Sequence, residues 1–109
     1  MKIEYRDDLP LASAYAKLFE TTGWNKVYQA SAHELAEALR QSWCTVAAYD
    51  ANRLVGFGRV LSDGILYAMV CDLIVLPSHQ TRGIGSEILA RLVQKCTLAG
   101  IRDVQLFSA

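Results

Sequence analysis

The 109-residue chain carries 11 Lys plus Arg against 11 Asp plus Glu, and 52% of its residues are apolar or aromatic. That balance suits one packed domain over residues 1–109, not a disordered chain. A formal net charge of zero with no basic block lacks the electrostatic footprint of a nucleic-acid binder.

"KIEYR" alternates and predicts a short first strand. Pro10 opens a helical stretch to Gly23 that puts Leu11, Ala14, Tyr15, Leu18 and Phe19 on one face. "WNKVYQA" follows as a loop with two aromatics, Trp24 and Tyr28. Ser31 and Glu34 make the S-x-x-E pattern of a capping box, and the helix they start faces Leu35, Ala38 and Leu39 inward. Three strand-like runs come next: "WCTVAAYD", "LVGFGRVLSD" and "ILYAMVCDLIVLP". "DANR" joins the first two, and Asp63-Gly64 predicts a two-residue hairpin between the others. The three read as an antiparallel meander. Gly56 and Gly58 predict a bulge or something lying close against the sheet. "SEILARLVQKCTLAG" is an amphipathic helix with Ile88, Leu89, Leu92, Val93 and Cys96 inward, and "VQLFSA" is a last strand. A strand, a helix and a strand at this length form a right-handed crossover with parallel strands. The fold class expected is α+β: a mixed sheet with helices on both faces.

The longest apolar run, residues 65–77, is too short for a membrane helix of about 20 residues, and it contains Asp72. The charged start, "MKIEYRDDLP", does not fit a signal peptide. Cys44, Cys71 and Cys96 form no C-x-x-C and read as reduced core thiols of a cytoplasmic protein. His33 and His79 have no ligand-spaced partners, so no metal site is expected.

The chemistry concentrates in "LPSHQTRGIGSEILARL", residues 76–92. A helix N-terminus has about four backbone N–H groups without partners and roughly half a positive charge. Gly83 and Gly85 let the main chain approach an anion without a Cβ in the way, and Arg82 adds a formal charge. A pyrophosphate is the natural guest. The Walker pattern is absent, and G-x-G-x-x-G fails at Ile88. The pattern present is Q-x-x-G-x-G, as "QTRGIG" at residues 80–85, between "DLIVLP" and an amphipathic helix.

This stretch, in this order of elements, resembles the acetyl-coenzyme A motif of the GNAT superfamily of N-acetyltransferases. The resemblance implies transfer of acetyl from acetyl-CoA to a primary amine by direct attack in a ternary complex, with no metal. It implies that Leu73, Ile74 and Val75 pair with the pantetheine arm. The backbone N–H groups of Thr81, Arg82, Gly83, Ile84, Gly85 and Ser86 would hold the pyrophosphate, and Gln80 would fix the loop. Several family members place a glutamate on the strand before the loop; that place here is Met69 or Cys71, neither a good base. Asp72 is the strand's one carboxylate, with either an acceptor-site role or a pairing to backbone or a core arginine. Tyr67 is a second catalytic candidate. Trp24 and Tyr28 line an acceptor pocket or cap the core.

Family members usually continue with another helix and strands, and that helix often carries a tyrosine that protonates the thiolate. This sequence stops at Ala109. It reads as a truncation or as half of a dimer formed through the C-terminal strand, and the alternative function is a non-catalytic CoA-binding module. Polyamine, amino sugar, peptide N-terminus and lysine all remain open as acceptors.

Overall fold

The computed structural model describes residues 2–107. Five strands, β1 (Ile3–Arg6), β2 (Cys44–Asp50), β3 (Arg53–Ser62), β4 (Tyr67–Val75) and β5 (Asp103–Leu106), form one sheet in the order β1-β2-β3-β4-β5. The first four are antiparallel, and β5 joins β4 in parallel after a crossover through α4 (Ile84–Leu98). The mixed α/β fold expected from the sequence is present. Ser108 and Ala109, the end of the expected last strand, lie outside the described residues.

The sheet carries a core on each face. On one, Ile88, Leu92 and Cys96 of α4 pack fully buried against Val46, Val55 and Val60. On the other, α1 (Ala12–Glu20) and α3 (Ala32–Arg40) cover Ala47, Phe57 and Ile74 with Tyr15, Leu18, Phe19 and Leu39. Tyr15 meets Phe57 edge-on at 4.9 Å, a favoured aromatic geometry. The capping box of α3 is complete: Glu34 N donates to Ser31 Oγ (3.1 Å) and Ser31 N to Glu34 Oε1 (2.9 Å).

Two local expectations are corrected. The aromatic loop contains a one-turn helix, α2 (Asn25–Tyr28). Asn25 clamps it, since its side chain both donates to Ala30 O and accepts from Ala30 N. The Asp63-Gly64 connection is not a two-residue hairpin but spans residues 63–66. One carboxylate oxygen of Asp63 accepts from the N–H groups of Ile65, Leu66 and Tyr67, which outcompetes the tight turn.

The expectation at Gly56 and Gly58 holds in both forms. Val55 is an extra residue opposite Ala48 and Tyr49. The close neighbour is α4: a Cβ on Gly58 would lie 2.9 Å from both Ile88 Cγ2 and Leu92 Cδ1. Glycine on β3 lets the helix lie close against the sheet.

A second bulge shapes β4. Phe57 pairs with Ile74 and Arg59 with Cys71, so Gly58 faces two residues, Asp72 and Leu73. Asp72 takes a left-handed backbone, φ 55°. The extra residue shifts the strand's alternation by one. Ala68 and Val70 before it, and Leu73 and Val75 after it, all turn toward α4. Without the bulge, Asp72 would follow Val70 into that apolar core.

Candidate active site

Three features lie in line along β4. The first is the loop after it. Pro77–His79 form a 3₁₀ turn, Thr81 and Gly83 take φ of 64° and 82°, and α4 starts at Ile84, two residues earlier than predicted. The N-cap of α4 is Gly83, which has no side chain to cap the helix. A concavity of about 230 Å³ opens at that N-terminus, lined by Val75, Gln80, Thr81, Gly83, Gly85 and Ser86 among others, where the first-turn N–H groups of a helix lack intrahelical partners. A Cβ built on Gly83 meets no atom within 4 Å. Gln80 Nε2 donates to Val75 O (3.0 Å), tying the loop to the end of the strand. Glu87, an acid in the first turn of α4, is turned onto Arg91 at 2.8 Å.

A link that sequence reasoning missed holds the loop from beneath. His79 is buried, with Nε2 2.9 Å from Asp50 Oδ2 and Nδ1 2.7 Å from Ser78 Oγ. It joins the loop to the end of β2. No group of His, Cys, Asp and Glu able to hold a metal occurs among the described residues.

The second feature is an open strand edge. β5 pairs with Tyr67–Val70, and the last bond between them runs from Phe107 N to Val70 O (2.8 Å). Among the described residues no strand covers that edge of β4 from Cys71 to Val75. Leu73, Ile74 and Val75 lie on it, although the Ile74 side chain is buried against α1. An extended arm can add there as a strand does, through main-chain hydrogen bonds.

The third is a pocket of about 370 Å³ at the Cys71–Asp72 end, between α1, α2, α3 and the sheet. Asp72 sits in its wall. Arg59 Nε donates to Asp72 Oδ2 (2.7 Å), as does Tyr15 Oη (3.2 Å). Arg59 also donates to Ala38 O (2.9 Å), a last-turn carbonyl of α3 that also accepts from Gln41 N (3.2 Å). Burial, then the Asp72 charge, pushes the Tyr15 hydroxyl well above the ordinary phenol range, so it stays a donor. Burial alone would lower the pKa of Arg59, but Asp72's charge and hydrogen bond outweigh it and raise it. Asp72 therefore takes the core-arginine pairing while still facing the pocket.

Tyr67 is not brought to this site. It is exposed at the opposite end of β4, five residues and roughly 16 Å of strand from Asp72. Trp24 stands outside the pocket lining and packs edge-on against Phe19 at 5.9 Å, closing the core. Tyr28 lines the pocket mouth. Met69 and Cys71, where the family's base would stand, are also in the pocket wall. Arg59 was missed, yet its signal was present: a lone charge inside "VGFGRVL", as out of place in a strand as Asp72.

Residues 10–108 match the profile of the Acetyltransferase (GNAT) family, and the chain belongs to that family. A GNAT-family acetyltransferase from Streptococcus pneumoniae superposes with a TM-score of 0.80 at 28% identity, over 99% of this chain and 76% of that one. A GNAT acetyltransferase from Brucella melitensis, solved in complex with acetyl-CoA, shares the fold (TM-score 0.74, 17% identity, 99% of this chain and 77% of that one). GCN5-related N-acetyltransferase 3 of Arabidopsis thaliana chloroplasts is 50% identical over 53 residues, 49% of this chain and 22% of that protein. An uncharacterized N-acetyltransferase, ycf52, of Pyropia yezoensis is 29% identical over 98% of this chain and 66% of its own length. The match thus spans less than a third of some curated relatives, about half of others and 66% of the Pyropia protein.

Proposed function

We propose that this chain binds acetyl-CoA along β4 and transfers its acetyl group to a primary amine within a ternary complex. The observation that carries the reading is the alignment, on one strand, of an amide-lined cradle, an uncovered edge and a pocket holding a carboxylate. The residues fit the cosubstrate: a Cβ on Gly83 would meet no atom within 4 Å, and among the described residues no strand covers the edge at 71–75, which suits a strand-like arm. Gly83 and the amides of Thr81–Ser86 bind the pyrophosphate, with Arg82 adding charge. Hydrogen bonds to a charged group contribute about 1.5–3 kcal/mol each before the entropy of binding is subtracted. When bound, acetyl-CoA supplies the activated acyl carbon.

The amine must first lose a proton. A lysine-like amine has a pKa near 10.4, so baring it at pH 7 costs about 4.6 kcal/mol. Asp72 Oδ2 already serves Arg59 and Tyr15, which leaves Oδ1 to orient the ammonium while its proton passes to solvent. The C–N bond forms as the C–S bond breaks. One proton of the ammonium goes to solvent and one to the departing thiolate, whose parent pKa near 8.5 makes it a fair leaving group.

The test is ligand-induced thermal stabilisation. At a hundredfold excess over Kd, acetyl-CoA adds about 2.7 kcal/mol, which raises Tm by on the order of 10 °C. Gly83→Glu should abolish that shift. Gly23→Glu is the control, since Gly23 has the same backbone strain (φ 78°) and equally open space, away from the cradle. If the wild type does not respond, or if both variants respond alike, the cradle is misassigned. Binding without thiol release against any amine would support a binding-only module.

A further inference from the structure

We infer that the pocket selects a primary amine carried on an aromatic or compact apolar body, and rejects polycations. The inference rests on the acetyl-CoA reading and names the acceptor class of that site.

Size comes first. About 150 Å³ holds a benzene ring. The pocket, at about 370 Å³, has room for one or two rings and a short carbon arm. Its inner wall is apolar: Phe19 and Leu35 are buried there, with the ring of Tyr15 between them and Asp72. Its mouth is apolar as well. Tyr28, Met69 and Phe107 stand 58%, 42% and 51% exposed around it, which is costly surface to leave uncovered in isolation. An apolar acceptor would cover these side chains on binding and gain from their removal from water.

Charge comes second. Among the described residues Asp72 and Arg59 are the only ionised side chains in the lining, and they neutralise each other. Asp72 Oδ1 makes no hydrogen bond among the described residues, so one ammonium has one acceptor. A polyamine or aminoglycoside brings several cations, and each further one would lose water against an apolar wall with no partner. The carboxylate stands where the outer edge of β4 opens. An amine held on Oδ1 is thus beside the edge that takes the thioester, with its apolar body directed away from it.

The experiment compares 2-phenylethylamine and tryptamine with spermidine and kanamycin. Calorimetry measures amine binding to the protein with and without CoA, and thiol release measures turnover. The aromatic amines should bind and should exceed the polycations at least tenfold in kcat/KM. Met69→Glu adds an anion at an exposed mouth position and should move that ratio toward spermidine by roughly tenfold, the effect of about 1.4 kcal/mol. Ala30 also lines the pocket; Ala30→Trp narrows it and should raise the aromatic amines' KM while leaving the Kd for acetyl-CoA unchanged. Spermidine or kanamycin as the better acceptor, or no aromatic amine bound by calorimetry, would overturn the inference. Failure to bind acetyl-CoA would sink the proposed function instead, and the calorimetric arm would still decide the pocket.

Discussion

Replacing Gly58 by alanine tests the packing that places the cradle. The new Cβ would stand 2.9 Å from Ile88 Cγ2 and from Leu92 Cδ1, in a core where both side chains are fully buried. Carbon atoms pack best at about 3.5–4.0 Å, so the helix must shift by roughly 0.5–1 Å or two side chains must leave their rotamers. Overpacking of this kind costs about 1–3 kcal/mol. The loss of glycine's unfolded-state freedom returns about 0.4–1 kcal/mol. The net cost is about 1–2 kcal/mol. At about 4–8 °C per kcal/mol for a small domain, Tm should fall by roughly 5–15 °C. Gly85→Ala should behave oppositely. Its Cβ would meet only Val75 Cγ2, at an ordinary 3.5 Å, and it lies within α4. Alanine there removes a helix penalty of up to about 1 kcal/mol. Denaturant melts of the two variants, read by circular dichroism, give both signs in one experiment. A Gly58→Ala protein as stable as the wild type would mean that α4 does not lie this close, and the position assigned to its N-terminal amides would fall with it.

The Asp72–Arg59 pair makes a second prediction. Arg59→Met leaves the carboxylate without its cation. Breaking a fully buried pair costs about 3–5 kcal/mol, and the residual exposure of these partners (14% and 18%) brings the expectation to about 2–3 kcal/mol. Arg59→Met combined with Asp72→Asn should recover much of it, and a double variant no better than the single would refute the pairing. The third prediction concerns the thiols. Burial raises all three, Cys44 to about 11 against an ordinary 9.0. The native state then holds protons that the unfolded chain releases, so stability should fall as pH rises from about 9 through 11. Below that window the native thiols should react slowly with a disulfide reagent and all three should react in denaturant; fast native labelling at pH 8 would contradict the burial.

The sequence by itself determined the order of the strands and the long helices, the capping box and the glycine loop. These rest on local rules: a period of 3.6 or 2, a serine three residues before a glutamate, and glycines where a helix begins. Proximity along the chain sufficed for them. Local rules also misled where a nearby side chain intervened, as with Asp63 at the hairpin and Asn25 in the aromatic loop. Tertiary structure decided what lies far apart in sequence. Arg59 reaches Asp72 only because one extra residue at the β4 bulge rotates that side chain out of the α4 core and onto the α1 face. His79 reaches Asp50 only because the loop folds back over the end of β2. Tyr28 and Trp24 share one short segment, yet one faces the pocket and the other the core, a choice made by the packing of Phe19 between them. A strand's periodicity can be read from its residues, but a break in its register is an agreement between two strands and the layers on both sides, and only the assembled fold contains it.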